Sequence, residues 1–154
     1  MSKKIDKIDS EILKYLQKDA TASLESIAEK VGVSVNTCWR RVQALEKSGI
    51  ISKRVALIDQ DKVGLPLTVF VSVRSDDHSQ DWSDRFARAA RSISQITEFY
   101  RLAGDVDYLL KMKVASVADY DKVYQSLISK VGLSDVSASF AMERMKYTTE
   151  LPLE

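Results

Sequence analysis

The sequence predicts an α+β protein in which an N-terminal three-helix domain of the helix-turn-helix type is linked to a C-terminal βαββαβ domain with the ferredoxin-like arrangement. Two observations support this fold class. The first part of the chain contains three short amphipathic helical patterns, and a single glycine, Gly32, marks the turn between the last two. The later part alternates β-branched runs with helical patterns. We therefore assign residues 1–58 to the first domain, 59–66 to a linker and 67–154 to the second domain.

Polar residues mark where the N-terminal helices begin. Asp6, Ser23 and Ser34 each precede an apolar repeat, and such side chains accept hydrogen bonds from the free amides of a first helical turn. Gly32 permits the positive φ of a tight turn between two helices, and Gly49 is predicted to stop the third helix. The apolar residues of each helix recur at the spacing of one helix face. They are Ile8, Ile12, Leu13 and Leu16 in the first helix, Leu24, Ile27, Ala28 and Val31 in the second, and Cys38, Val42 and Leu45 in the third.

The third helix carries polar side chains away from its apolar stripe, which is what reading the major groove of DNA requires. Ser34 would lie near a phosphate at the helix N-terminus, and arginine is the residue that most often contacts guanine. The predicted DNA-binding residues are Ser34, Asn36, Thr37, Arg40 and Arg41. The alternative is a generic three-helix bundle with a solvated basic face.

The distribution of charge agrees with DNA contact by the first domain only. Residues 1–58 contain eleven Lys and Arg against seven Asp and Glu, a net charge of +4, whereas residues 59–154 contain twelve against fifteen, a net charge of −3. A basic segment beside an acidic one is typical of a protein whose nucleic-acid contact is confined to one domain.

Two segments join the domains. The stretch of residues 50–58 is rich in β-branched side chains and alternates from Lys53 onward, which predicts a strand over residues 52–58 that leaves the first domain. The linker that follows contains Gly64 and Pro66, which break regular structure, with room for one helical turn through residues 61–63.

The second domain is predicted from four strands and two helices. The strands are expected at residues 67–73, 96–102, 108–114 and 136–146. One helix is marked by Trp82, Phe86, Ala89 and Ile93, with Arg85, Arg88 and Arg91 on its outer face; the other begins at Ser116, with Asp119 as a reciprocal cap, and buries Tyr120, Val123, Leu127, Ile128 and Val131.

Composition argues against several other classes of protein. No apolar run approaches the roughly 18 residues of a membrane span, and the N-terminus lacks the apolar core of a signal peptide, so a cytoplasmic location without membrane contact is expected. The single cysteine, Cys38, falls on a predicted core face, and the single histidine, His78, falls in a polar loop. We therefore predict no metal site, no cofactor and no catalytic residues.

Both halves of the chain resemble the Lrp/AsnC, or feast/famine, transcriptional regulators. The resemblance extends from Ile5 to Glu143, and its most specific parts are residues 38–46 with Gly49-Ile50-Ile51 after them, and the turn Gly104-Asp105-Val106-Asp107-Tyr108. It implies that the second domain is of the RAM/ACT-like type and that its sheets pack back to back in a homodimer, often with four dimers in an octamer. It also implies that an amino acid or related small effector binds between dimers near this turn.

The effector-binding residues suggested by the resemblance are Gly104, Asp105, Asp107, Tyr108 and Ser137. Gly104 would let the ligand approach the backbone, and Asp107 would accept the α-ammonium group. Relatives often have threonines in the last strand where this chain has Ser137 and Ser139. This difference leaves open an effector-independent regulator, and a turn in which glycine and aspartate serve only turn geometry is a further alternative.

Two other functions are weighed against a DNA-binding regulator. Asp105 and Asp107 could form an acid–base pair of an enzyme, although neither a histidine nor a nucleophilic cysteine accompanies them. The helix-turn-helix could instead contact another protein and not DNA.

Overall fold

The computed structural model describes residues 5–154. It contains five helices and four strands in these residues. In chain order they are α1 (Lys7–Lys18), α2 (Leu24–Val31), α3 (Val35–Lys47), β1 (Leu67–Arg74), α4 (Gln80–Arg91), β2 (Ile96–Arg101), β3 (Tyr108–Val114), α5 (Val117–Lys130) and β4 (Asp135–Phe140). The predicted order of helices and strands in the two domains is thus confirmed, with the exceptions given below.

The three N-terminal helices begin at the predicted caps. The side chains of Asp6, Ser23 and Ser34 accept hydrogen bonds from backbone amides three residues further along the chain. Gly32 adopts φ 74° between α2 and α3, and Gly49 adopts φ 75° after α3, so both glycines occupy the left-handed region that a Cβ disfavours. The buried side chains of the three helices form one core, made of Ile12, Leu13, Ile27, Ala28, Cys38, Val42 and Leu45.

The second unit is a four-stranded antiparallel sheet with strand order β2-β3-β1-β4, and α4 and α5 pack on one face. This is the ferredoxin-like arrangement, in which each helix crosses over a strand that lies between the two strands it connects. Its core joins alternate strand residues to the inner faces of both helices, and includes Val69, Val71, Val73, Leu110, Met112, Trp82, Phe86, Val123 and Leu127.

The intervening residues of the strands point to the opposite face of the sheet, which we call the open face. Cross-strand pairing places Ser72 beside Ser137 and Arg74 beside Asp135 on this face. It also carries apolar side chains, among them Phe70 and Tyr100, which are exposed. The sheet has a covered face and an open face because successive side chains of a strand point to opposite sides.

The structure corrects two predicted strands. Residues 52–58 are exposed and form no strand, because an alternating pattern becomes a strand only when another backbone pairs with it, and no strand of the described residues does so. The last strand ends at Phe140 and not at residue 146. Its partner β1 begins at Leu67, so in the register of the two strands no residue of β1 lies opposite residues 143–146. Pro66, which precedes Leu67, cannot extend the ladder because its nitrogen has no hydrogen to donate.

The structure also divides the chain differently from the domain prediction. One compact unit holds the described residues up to Leu57 together with Lys146–Glu154, and the other holds Ile58–Met145. The C-terminal segment Lys146–Glu154 joins the first unit because Leu153 packs against the helical core. In addition, the side chain of Gln17 exchanges two hydrogen bonds with the backbone of Leu151, and the Ser10 hydroxyl donates to the backbone oxygen of Glu154.

The structure also bears on membrane spans, on metal ligands and on the cysteine. None of the helices between residues 5 and 154 has both the length and the apolar character of a membrane span. Over the same residues, no three His, Cys, Asp or Glu side chains lie together as metal ligands would. Cys38 is fully buried, and burial raises the pKa of its thiol, so it serves as a small apolar core residue.

Candidate functional site

Helix α3 has one buried and one exposed face. Cys38, Val42 and Leu45 lie in the core, whereas Asn36, Trp39, Arg40 and Gln43 are exposed. The spacing of these four residues, i, i+3, i+4 and i+7, places them in one stripe, which we call the α3 stripe. A helix with this arrangement can pack against its own domain and still present amide, guanidinium and indole groups to a DNA groove.

The first turn of α3 is organised by two hydroxyl groups. Ser34 Oγ accepts a hydrogen bond from the Thr37 amide at 3.1 Å and lies 2.9 Å from Thr37 Oγ1, to which it donates its proton. The Thr37 hydroxyl therefore keeps its own proton for an outside acceptor. The free amides at a helix N-terminus favour an anion such as phosphate at this end.

The two neighbouring arginines of α3 lie in different surroundings. Arg40 is exposed and has no hydrogen bond or ion pair with any residue between 5 and 154. Arg41 is engaged inside the unit, where its guanidinium forms ion pairs with Asp6 and, at 3.2 Å, with Asp9, whose side chain is only 1% exposed. The predicted DNA contact Arg41 is thus occupied in this structure in connecting α3 to the start of α1.

Trp39 and Gln43 were not predicted as DNA-binding residues. Trp39 is 51% exposed, unusual for so large an aromatic side chain, and it lies between Asn36 and Gln43 along the stripe. The signal was available in the sequence, because both residues share the helical spacing of Asn36 and Arg40.

The turn before β3 brings together only part of the predicted effector site. Gly104 is exposed and adopts φ 148°, a conformation that other residues rarely take. Asp105 is also exposed, and its backbone carbonyl accepts a hydrogen bond of 2.7 Å from Arg74 Nε. Both residues can therefore be reached from outside the unit.

Asp107 is committed to the fold of the turn. Its carboxylate accepts a hydrogen bond from the Ser75 amide at 2.8 Å, its own amide donates to the Val73 carbonyl, and its carbonyl accepts from the Leu102 amide. The carboxylate thus holds the end of β1 against the start of β3.

Tyr108 belongs to the core of the second unit. Its side chain is 7% exposed, and its ring packs against Trp82, Phe86 and Phe99 with centroid separations of 5.1 to 5.8 Å. The hydroxyl group lies 3.1 Å from Ser83 Oγ. The orientation of Tyr108 follows from strand register, because Tyr108 lies opposite Val73 on the face that the helices cover.

Ser137 lies on the open face, exposed and opposite Ser72. The next pair along the two strands is Arg74 and Asp135, whose side chains form an ion pair of 3.0 Å. Sequence reasoning missed these two residues. The available signal was alternation, which puts Arg74 on the same face as Ser72 at the end of a strand that has no other charged residue.

Comparison with known proteins identifies both units. A family model described as Lrp/AsnC ligand binding domain matches residues 68–151, and one described as winged helix-turn-helix DNA-binding matches residues 5–52. The chain is 52% identical over 153 residues to the glutamate uptake regulatory protein of Zymomonas mobilis, covering 99% of this chain and 93% of the relative. It is 45% identical over 151 residues to the DNA-binding transcriptional activator DecR of Escherichia coli, covering 97% and 99% of the two chains.

Solved structures agree with these matches. The crystal structure of an AsnC family transcriptional regulator from Agrobacterium tumefaciens is similar with a TM-score of 0.92 and 48% identity, covering 96% of each chain. A transcriptional regulator from Neisseria meningitidis in complex with L-methionine has a TM-score of 0.91 and 31% identity, covering 97% of each chain.

Proposed function

The chain belongs to the Lrp/AsnC family and is a DNA-binding transcriptional regulator, and from this premise we propose that it reads double-stranded DNA with the exposed stripe of α3 and responds to an amino acid. The observation that carries the DNA-binding proposal is the separation of the α3 stripe from the buried face of the same helix. The family is one of transcriptional regulators, and the proposal includes no reaction catalysed by the chain.

The proposed DNA contacts divide into positioning and reading. The Thr37 hydroxyl, which Ser34 holds in place, and the free amides of the first turn hold a phosphate, which sets the position of the helix on the duplex. Asn36 and Arg40 reach into the major groove, where amides pair with adenine and guanidinium groups with guanine. Trp39 adds apolar contact beside them. We assign Arg41 to keeping α3 in place, because its guanidinium is already paired with Asp6 and Asp9.

We propose that the protein acts as a homodimer built by back-to-back contact of the open faces around Phe70 and Tyr100, with the Arg74–Asp135 row at the uncovered end of each face. We propose further that four such dimers form an octamer. Exposed Phe70 and Tyr100 on an otherwise regular sheet face favour such burial, since the other face is already covered by α4 and α5. A dimer would bind a pseudo-palindromic site with half-sites about one helical turn, or a multiple of it, apart. We propose that the protein is located in the cytoplasm, together with the DNA that it binds.

We propose an amino acid as the effector, bound at the turn that begins at Gly104. The support is the match to a ligand-binding domain, together with a relative solved as a complex with L-methionine. In this structure Gly104, Asp105 and Ser137 are the accessible members of the predicted site. The alternative is an effector-independent regulator of the same fold. Such a regulator would bind no amino acid.

Fluorescence anisotropy with a labelled fragment of the promoter of its own gene tests the DNA proposal. Replacing Arg40 with Ala should weaken specific binding by about 1–3 kcal/mol, whereas Arg91→Ala, which removes an exposed arginine from α4, should leave it unchanged. Binding of the wild type should fall steeply with salt. Equal affinities for the two variants would remove the α3 stripe from the interface, and no DNA binding even at low salt would favour a regulator that contacts only proteins.

A further inference from the structure

One guanidinium joins the elements that meet at the proposed effector site. Arg74, the last residue of β1, donates through Nε to the Asp105 carbonyl at 2.7 Å and through Nη1 to the Asp135 carboxylate at 3.0 Å. The first contact reaches the turn before β3, and the second reaches the first residue of β4. Arg74 therefore connects Gly104-Asp105 to the strand that carries Ser137.

The Arg74–Asp135 pair is accessible. Both side chains are 57% exposed, and the Arg74 Nη2 group has no hydrogen-bond partner among residues 5–154. An exposed ion pair of this kind adds little to the stability of a protein, so it can open at small cost. Arg74 can thus accept a second carboxylate in the two-pronged geometry that guanidinium groups favour.

The surroundings of the pair are polar and varied. Ser72 and Ser137 form the neighbouring cross-strand pair on the same open face. The carboxylate of Asp105 is exposed and has no partner within the described part of the chain. The Arg74 guanidinium thus contacts two residues with exposed carboxylates, Asp105 through its carbonyl and Asp135 through its carboxylate, and the two hydroxyl groups lie in the next cross-strand pair. Gly104, beside Asp105, has open space where a side chain would stand.

We propose that Arg74 and Asp135 bind the charged groups of a zwitterionic α-amino acid, the ligand carboxylate replacing Asp135 on the guanidinium and the released Asp135 accepting the ligand ammonium. This inference rests on the proposed function, which places an amino-acid effector at the same turn. The exchange conserves charge, because one ion pair opens and two form with a ligand of zero net charge. It transfers the role that the sequence predicted for Asp107 to Asp135, since the Asp107 carboxylate is occupied by the Ser75 amide.

The ligand is recognised by two adjacent opposite charges, which predicts a clear selectivity. A decarboxylated amine would offer nothing to Arg74. A desamino acid would displace Asp135 from Arg74 and leave that carboxylate without a cation. Both analogues should bind far more weakly than the parent amino acid, whatever its side chain.

Isothermal titration calorimetry on the full chain tests the proposal. Titrations with L-methionine, L-leucine and L-glutamate come first, followed by the other standard L-amino acids and then by the two analogues of whichever binds. Arg74→Gln should weaken binding of that amino acid by at least about tenfold, as expected for the loss of a charged hydrogen-bond donor. Arg91→Gln is the matched control and should bind as the wild type does.

Asp135→Asn provides a second, independent readout. The variant should bind the amino acid more weakly, because the ammonium loses its acceptor. It should bind the desamino acid more tightly than the wild type does, because a neutral amide competes poorly for Arg74. If the pair had a purely structural role, both variants could change the melting temperature, but Asp135→Asn would not weaken the amino acid and strengthen the desamino acid at the same time. Circular dichroism of each variant checks that the fold is retained.

The possible results distinguish a failure of the proposed Arg74–Asp135 site from a failure of the proposed amino-acid effector. If the wild type binds an amino acid and Arg74→Gln binds it equally well, Arg74 is not the receptor, although the effector proposal stands. The inference is also overturned if Asp135→Asn leaves the selectivity between amino acid and desamino acid unchanged. If no amino acid binds the wild type, the effector proposal fails and the inference fails with it.

Discussion

Helix α3 and the turn from Gly104 to Tyr108 were both identified from polar residues in the sequence, but they differ in how many of those residues remain accessible. On α3, Asn36 and Arg40 are exposed. At the turn, the Asp107 carboxylate holds the Ser75 amide and the Tyr108 ring lies in the core. The difference lies in the backbone. A helix separates its faces by a fixed angle per residue, whereas the turn brings Asp107 to the Ser75 amide and the strand that begins at Tyr108 directs that ring to the covered face.

The comparison shows that a polar residue is a good candidate for binding only when its backbone position leaves its side chain exposed. Arg41 is the exception within α3, because it lies at the edge of the exposed face, close enough to α1 to pair with Asp6 and Asp9. Arg74 is the converse case near the turn, a residue outside the motif that the sheet brings to the site.

The largest effect is expected at Tyr108. Replacing it with Ala should destabilise the second unit by about 3–5 kcal/mol, because a buried aromatic side chain is lost from a closely packed ring cluster. Urea unfolding can be followed by the fluorescence of Trp82, in a Trp39→Phe background that removes the other tryptophan. Tyr108→Phe should cost only about 1 kcal/mol, the value of one hydrogen bond. Normal stability of Tyr108→Ala with lost effector binding would instead make Tyr108 a ligand contact.

The neighbouring arginines of α3 should separate stability from DNA binding. Arg41→Met should lower the stability of the first unit by about 1–3 kcal/mol, because it leaves the buried Asp9 without a cation. Arg40→Met should change stability by less than about 0.5 kcal/mol, since the side chain is exposed and unpaired in the described residues. Thermal unfolding followed by circular dichroism measures both. If the two variants melted together, the proposed division of roles within α3 would be wrong.

A smaller effect is expected from the C-terminal segment Lys146–Glu154. Leu153→Ala should destabilise the first unit by about 1 kcal/mol, because the side chain is only partly buried against the helical core. The Trp82 signal of the second unit should not change. Leu151→Ala serves as the control, because that side chain is exposed while its backbone keeps both hydrogen bonds to Gln17. A shift confined to the Trp82 transition would place the segment with the sheet.

The smallest effect concerns pH. The Asp9 amide and the Arg41 guanidinium lower the pKa of Asp6 below its ordinary value of 3.8. A carboxylate with a lowered pKa in the folded state stabilises the protein above its unfolded pKa, and this stability is lost as the pH falls through the folded value. The first unit should therefore lose stability below about pH 4. In Asp6→Asn this part of the pH dependence should be absent, and an identical acid profile in the variant would exclude Asp6 as its source.

Much of the fold could be predicted from the sequence by itself. Helix caps at Asp6, Ser23 and Ser34, the left-handed glycine at position 32 and the apolar stripes depend on contacts within a few residues, so local spacing sufficed to identify them. The alternation in β1 and β3 likewise determined which residues are buried. The exposed residues Asn36 and Arg40 were found for the same reason.

Only the tertiary structure decided which polar groups are paired with distant residues. Ion pairing of Arg41 to Asp9, the contact of Arg74 with Asp105 and Asp135, and the packing of Leu153 all join residues far apart in the chain. Residues 52–58 lack the partner that would have made them a strand. A periodic pattern records which side of its own element a residue occupies, but a partner is determined by register and packing, which no local pattern contains.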